Sequence, residues 1–280
     1  MHSILLHHSN NFFAFHQIRR RIITSVFYFY NNLKIKINMK KLIAPGMMLF
    51  IAFQSMSVSA QDLNEIIKNH ITAIGGADNW NKLKSMTSEM TMKAQGAEIK
   101  LVVNQVQKKA MRADIEVMGM SGYQIITDKE GWSFMPFAGQ TKAEPSTADD
   151  VKSSQDQLDM IDQFITYEDY GKKIDYLGKD DVEGTDCHKI SLTDKEGEIT
   201  TFFLDASTYY VIKEVSKRKA NGKEFEMTKT YSNYKKLDEG IVFPMLSGGD
   251  EGEMEITKVS INKPIDDAMF QPKALSELKK

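Results

Sequence analysis

The chain has 280 residues, 36 of them basic and 38 acidic, for a formal charge of −2. Positions 1–60 hold seven of the basic side chains and no acidic one, which leaves 29 basic against 38 acidic, a charge of −9, on positions 61–280. That balance excludes a nucleic-acid partner, the single cysteine at 187 excludes an internal disulfide, and a segment as long as 61–280 suffices for one large sheet with its own core.

Residues 1–38 are rich in Asn, Phe, Tyr, Ile and His without periodicity, and they read as an over-extended, non-native amino terminus; a basic, aromatic arm for a membrane surface is the alternative. From Met39 the chain reads as a secretory signal. Lys40 and Lys41 form its charged start, Leu42 to Phe53 its apolar run, and Val58-Ser59-Ala60 its cleavage site. A membrane span needs about 20 apolar residues, whereas Pro45 and Gly46 interrupt this run and Gln54 and Ser55 end it. The signal peptide is therefore residues 39–60 and the mature domain residues 61–280. No cysteine follows the signal to take a lipid, so the expected product is exported, soluble and not itself lipidated.

In the mature chain, Asp62 with Glu65 three positions on opens a helix whose stripe is Leu63, Ile66, Ile67, His70, Ile71 and Ile74, and Gly75-Gly76 closes it. A second short helix is expected from Asp78 to Lys84. After Ser85 the apolar period changes to two: Met86, Met90 and Met92, then Ile99, Leu101 and Val103, then Met111, Ala113, Ile115 and Val117. Gln95-Gly96, Gly119 to Gly122 and Lys129 to Gly131 supply turns. Asp149 and Asp150, with Leu158, Ile161 and Ile165, predict a weakly amphipathic helix to Phe164. Strands resume at Ile174 to Val182, Asp186 to Thr193, Thr200 to Asp205, Tyr209 to Lys217, Phe225 to Tyr234, Ile241 to Leu246 and Glu253 to Ile261, with Asn221-Gly222 a strong hairpin signal. The fold class is mainly β, with about eleven antiparallel strands in one long curved sheet.

Clean alternation leaves one sheet face apolar, and three short helices are a small cover for it. The sheet either closes into a filled barrel or stays half open with an apolar concavity. Flexible methionines suit a cavity for varied chains, and they suit an ordinary core equally.

Catalytic chemistry is sparse. Only His70 and His188 remain after the signal, and Cys187-His188 places adjacent strand residues on opposite faces with no further ligand at metal-site spacing. No nucleophile elbow, phosphate loop or zinc-protease helix occurs. The sequence thus predicts neither an enzyme nor a metal or other cofactor.

The stretch from Lys108 to Thr147, with Met111-Arg112, Asp128, Trp132 and Pro136-Phe137, resembles the outer-membrane lipoprotein-sorting carriers, the LolA/LolB-like family. The helix ending in Ile74-Gly75-Gly76, the run from Phe203-Leu204-Asp205 to Lys213, Val242-Phe243-Pro244 and Phe270-Gln271-Pro272 read similarly, so the likeness spans nearly all of 61–272. The resemblance implies an incomplete β-barrel with lid helices and a periplasmic carrier for acyl chains of lipids or lipoproteins, handled between membrane-bound donor and acceptor proteins and working as a monomer. A sensor of lipids or lipoproteins on the same fold, or a ligand-free structural envelope protein, are the alternatives. The cavity wall is expected from Met90, Met92, Leu101, Met111, Ile115, Val117, Trp132, Phe134, Phe202, Val211, Phe225, Met227 and Phe243. Arg112 matches the family arginine that latches the lid. Simple alternation sets Arg112 with Asp114 and Glu116, opposite Met111 and Ile115, so a role at the lid requires a bulge.

Overall fold

The computed structural model describes residues 60–94, 97–220, 223–250 and 252–272. The amino-terminal segment, the expected signal peptide up to residue 59, the turns at Gln95-Gly96 and Asn221-Gly222 and the side chain of Phe225 lie outside the described residues.

The chain opens with α1 (Ala60–Ala73) and the single turn α2 (Ala77–Trp80). Strands β1 (Ser85–Ala94), β2 (Ala97–Val106), β3 (Ala110–Val117), β4 (Met120–Thr127), β5 (Gly131–Phe134) and β6 (Glu144–Pro145) follow as a meander. A lid segment of α3 (Ala148–Ser153), a 3₁₀ turn (Gln155–Leu158) and α4 (Gln163–Thr166) comes next. The second meander is β7 (Lys173–Val182), β8 (Thr185–Thr193), β9 (Ile199–Asp205), β10 (Val211–Ala220), β11 (Lys223–Lys236), β12 (Val242–Gly249) and β13 (Glu253–Ile261), and a 3₁₀ turn (Asp267–Phe270) ends it.

All thirteen strands form one antiparallel sheet in the order β6-β5-β4-β3-β2-β1-β13-β12-β11-β10-β9-β8-β7. It is open: β6 and β7 are its edges. The strands beyond the expected eleven or so include β5 and β6, which are too short for alternation to register. Because β6 and β7 sit at opposite edges, the segment between them must cross the whole sheet, and this is what makes it a lid. Edge strand β7 carries a register shift at Tyr176/Gly178 and the charges Lys173, Lys179, Asp180 and Asp181, features that discourage pairing with another chain.

Directly paired residues of an antiparallel sheet share a face, so the register sorts the side chains. Ile261, Met86, Gln105, Met111 and Ile126 form one row across β13, β1, β2, β3 and β4. Gln105 donates to the Gln157 carbonyl of the lid, which identifies this as the covered face. Two further rows share it: Ile256, Met90, Leu101, Ile115 and Gly122, then Met254, Met92, Ile99, Val117 and Met120. The other face carries Thr87, Asn104, Arg112, Ile125 and Trp132 as a row.

Packing follows from this. On the covered face Ile66 and Ile67 of α1 and Phe164 of α4 bury against Ile190, Leu192, Phe202 and Leu204 of β8 and β9. Beside it, Ile74, Trp80 and Leu83 pack on Ile241 and Ile261. The α1 terminus is pinned there: the Ile74 carbonyl accepts from Trp80 Nε1 at 3.0 Å and from the Val242 N–H at 2.8 Å. A third cluster, Ala110, Tyr123, Ile125, Phe134 and Phe270, lies on the outer face under the chain's closing segment.

The expected long lid helix from Asp149 to Phe164 is broken. Gln107, just beyond the end of β2, donates to Asp159 Oδ1 at 2.5 Å and accepts from the Met160 N–H at 2.8 Å. Asp162 then caps a new helix by accepting from the Phe164 N–H. Contacts with a distant part of the chain outweigh local helix propensity. Near its start, α1 begins at Ala60 with Asp62 inside it, and the second helix stops at Trp80 instead of running to Lys84.

Candidate functional site

Between lid and sheet lies a cavity of about 530 Å³. Its floor is Leu192, Phe202 and Val211 with Val242, Phe243 and Pro244; Ile74 and Trp80 form a wall, and Met160, Ile161 and Phe164 the roof. Polar groups interrupt the apolar lining. Glu214 accepts from Ser216 at 3.0 Å and Tyr231 at 2.8 Å, and Tyr234 donates to the Val211 carbonyl at 2.6 Å. Burial and the Glu214 carboxylate push the Tyr231 hydroxyl up, so it stays protonated and a donor.

Of the residues expected to form the wall, Phe202, Val211 and Phe243 line this cavity. Met227 pairs with Ser216, which pairs with the cavity residue Thr200, so it shares the covered face. Met90, Met92, Leu101, Met111, Ile115 and Val117 share that face too, on the half of the sheet away from α1. There the α-helices stop, and a 3₁₀ turn at Pro136–Ala138 reaches the face only at its β4 side, with Phe137 against Gly122. Met90, Met92, Leu101, Ile115, Val117 and Met254 are half-buried, Met120 is 44 % exposed, and none of the three buried clusters includes them.

The structure sets Trp132, Phe134 and Arg112 on the outer face, away from the methionines. β3 pairs with β2 and β4 in unbroken register, so no bulge turns Arg112 toward the lid. The residue is 3 % exposed, and its guanidinium holds Asp114 through Nε and Nη2, lies 4.4 Å from the centre of the Tyr123 ring, and donates from Nη1 to the Met269 carbonyl at 3.0 Å. Arg112 therefore fastens the carboxy-terminal 3₁₀ turn, which covers Tyr123 and Phe134.

Other residues fasten the lid. Asp159, with a side chain 9 % exposed, accepts from Gln107, from Tyr170 at 2.6 Å and from the Ile161 N–H at 3.0 Å, with Lys108 3.5 Å away. Burial raises its pKa, but these hydrogen bonds and the lysine together hold the carboxyl below its ordinary value. His70 of α1 is the second fastening: it is 1 % exposed, Nδ1 donates to the Tyr209 carbonyl at 2.7 Å, and Nε2 faces Asp162 Oδ1 at 3.5 Å. The apolar stripe pointed to the helix face that carries His70; nothing local marked Asp159 or Gln107.

A group whose pKa is depressed on folding contributes stability above its unfolded value and loses it as pH falls through the folded one. The Asp159 fastening is thus present at neutral pH and lost in acid. Asp159→Ala should leave the Gln107 amide and Tyr170 hydroxyl without their acceptor, at about 1–3 kcal/mol. Hydrogen exchange at residues 155–166 should rise in that variant at pH 7, and the difference from the parent should shrink as pH falls below the ordinary carboxylate range.

Cys187 is fully buried, and burial with Asp205 and Asp181 nearby pushes its thiol up, away from a reactive thiolate. His188 points to the other face, stacked on Tyr209 at 5.8 Å. Among the described residues no group of three or more His, Cys, Asp or Glu side chains could hold a metal ion, and no helix is long and apolar enough to cross a membrane.

No family model matches the chain, and no curated protein matches it. In structure it is similar to a LolA superfamily protein from Nitrosomonas europaea, at 12 % identity over 74 % of this chain and 96 % of that one, TM-score 0.48. It is similar to a DUF1329 family protein from Desulfovibrio piger, at 14 % identity over 74 % and 96 %, TM-score 0.48. A domain from Vibrio parahaemolyticus assigned to outer membrane lipoprotein sorting matches at 12 % identity over 74 % and 94 %, TM-score 0.47.

Proposed function

We propose that the protein is a periplasmic carrier that binds acyl chains of lipids or lipoproteins between its sheet and its lid and takes part in outer-membrane lipoprotein sorting. The observation that carries this reading is the band of Met90, Met92, Ile99, Leu101, Ile115 and Val117, which shares the lid-bearing face and is left half-covered. With Met254 and Ile256 of β13 and Met120 of β4, which continue the same rows, the band crosses five strands about 4.8 Å apart and is roughly 19 Å wide, and an apolar patch of that size marks a binding surface. Burying about ten methylenes there contributes about 8 kcal/mol before association costs. The cavity under the lid, floored by Phe202, Val211 and Phe243, extends the same face. The lipoprotein and periplasmic parts of the reading rest on the sequence resemblance and the signal-like segment 39–60.

Adjacent residues on opposite faces give the test. Leu101→Asp puts a charge into the band, whereas Val102→Asp puts one on the outer face, where Val102 is 37 % exposed. A fluorescent fatty-acid probe should bind the parent and the Val102 variant alike and the Leu101 variant about tenfold or more weakly, with both variants melting near the parent. Equal loss in both variants, or no acyl chain on protein extracted from its own host, ends the proposal.

A further inference from the structure

The carrier reading leaves open what opens the lid, and the geometry around His70 bears on that. His70 sits on α1, fixed to the sheet, while Asp162 begins α4 of the lid, so their contact joins an anchored element to a movable one. Nδ1 carries its hydrogen toward the Tyr209 carbonyl at 2.7 Å, which makes Nε2 of the neutral ring an acceptor. Nε2 is buried, has no hydrogen-bond partner, and looks across 3.5 Å at a carboxylate oxygen, another acceptor. With the ring neutral, the closed lid holds a buried acceptor, Nε2, against a carboxylate oxygen. With the ring protonated, the same contact is an ion pair with a charge-assisted donor.

We infer that His70 and Asp162 form a proton-operated clasp that holds the lid closed when His70 is charged and loosens it when His70 is neutral. This rests on the carrier reading in one respect: the lid it controls roofs the proposed ligand cavity. Phe164, two residues from Asp162, packs edge-on against the His70 ring at 4.9 Å and against Phe202 of the floor at 5.1 Å, so loosening Asp162 also loosens the roof.

The surrounding ionisable groups favour this assignment. Asp162 faces His70 from the lid. Tyr209, before β10, offers its carbonyl, and His188 of β8 stacks on the ring of Tyr209. Tyr234 of β11 lies near Asp162, and burial and that carboxylate push its hydroxyl up, so it is neutral near pH 7. Around the cavity Asp156, Asp159, Asp194, Glu198 and Glu214 outnumber Lys172 and Lys229, a field that favours a positive imidazole. Burial alone would lower the His70 pKa, but the Asp162 carboxylate that faces Nε2 and the hydrogen bond to the Tyr209 carbonyl together raise it above its ordinary value.

The linkage sign is set by that rise. A raised folded-state pKa gives a closing force complete below the open-state value and lost as pH climbs through the closed-state value. Hydrogen exchange of residues 159–166, corrected for intrinsic rates and measured without ligand, should show the lid-opening constant rising by about tenfold per pH unit between those two values. His70→Asn retains a donor for the Tyr209 carbonyl and does not titrate, so its profile should be flat. Asp162→Asn retains the oxygen that accepts from the Phe164 N–H but removes the charge that faces Nε2, so its profile should be flat. A flat parent profile between pH 6 and 9, or a parent-like slope in His70→Asn, overturns the clasp. Failure of any acyl probe to bind at any pH counts against the carrier reading instead, because lid exchange is read on the empty protein.

Discussion

Phe164→Ala should cost about 3–5 kcal/mol and lower the melting temperature by about 10 °C, given about 2–4 °C per kcal/mol for a domain of this size. Phe164 is 1 % exposed and belongs to the same cluster as Ile66, Ile67, Ile190, Leu192 and Phe202, so it is the main apolar anchor of the lid on the sheet. Removing its ring leaves a void bounded by His70 on one side and Phe202 on the other, both in edge-on contact with it. The sheet residues cannot move to fill that void, because Ile190 and Phe202 are paired in the β8–β9 ladder. The lid can move. The cost should therefore divide between global stability, read by thermal melting, and lid opening, read by exchange at residues 159–166. A loss of under about 1 kcal/mol with unchanged lid exchange would show that the lid is not seated through this ring.

The second large effect is expected at Gly75. Its φ is +105°, a conformation that side chains rarely adopt, and a Cβ built there would lie 2.2 Å from the Gly240 carbonyl oxygen. That oxygen belongs to the β11–β12 turn and cannot swing aside as a flexible side chain could. The same corner holds the hydrogen bonds from Trp80 and Val242 to the Ile74 carbonyl and from Asn79 to the Gly75 carbonyl at 2.9 Å. Gly75→Ala combines backbone strain of about 1–3 kcal/mol with overpacking of about 1–3 kcal/mol, a large share of the roughly 5–15 kcal/mol that holds a domain together. Gly76 is the control. Its φ is +86°, but a Cβ there would meet nothing within 4 Å, so Gly76→Ala should cost only the strain. Denaturant melts of the two variants should differ by about 1–3 kcal/mol; equal values would mean that the corner yields.

Much of the architecture is readable from residue order because period-two alternation and short polar turns are local signals. The methionine rows of β1, β2 and β3 and the stripe of α1 both emerge that way. The seam between β1 and β13 does not, since no local pattern says which distant strand completes an edge. The lid helix departs from expectation for a related reason: Gln107 and Tyr170, which bend it at Asp159, stand 52 and 11 residues away. For the residues expected to form a cavity wall, the sheet face is legible by half. Parity sets Met111 and Ile115 together and Arg112 opposite, as the ladder has them, but residue type places Trp132 and Phe134 with the methionines. They carry the opposite parity, because Ile125 pairs with both Arg112 and Trp132. The error arises from assuming that only one face of the sheet is apolar, when the segment closing with Phe270 covers a second apolar patch behind β3–β5.

The seam also bears on how the molecule assembles. Each meander can form hairpin by hairpin as its strands appear, but Met86, at the start of the first strand, must find Ile261, at the end of the last, before the two half-sheets become one. Contacts of such long range are closed late and slowly. Until the last strand docks, β1 and β12 are two bare, adjacent edges in the middle of the molecule, the kind of surface on which chains stick to one another. A chain cut short before Glu253 should therefore fail by self-association, and a nascent one has most need of a chaperone in the interval before its closing strand is released.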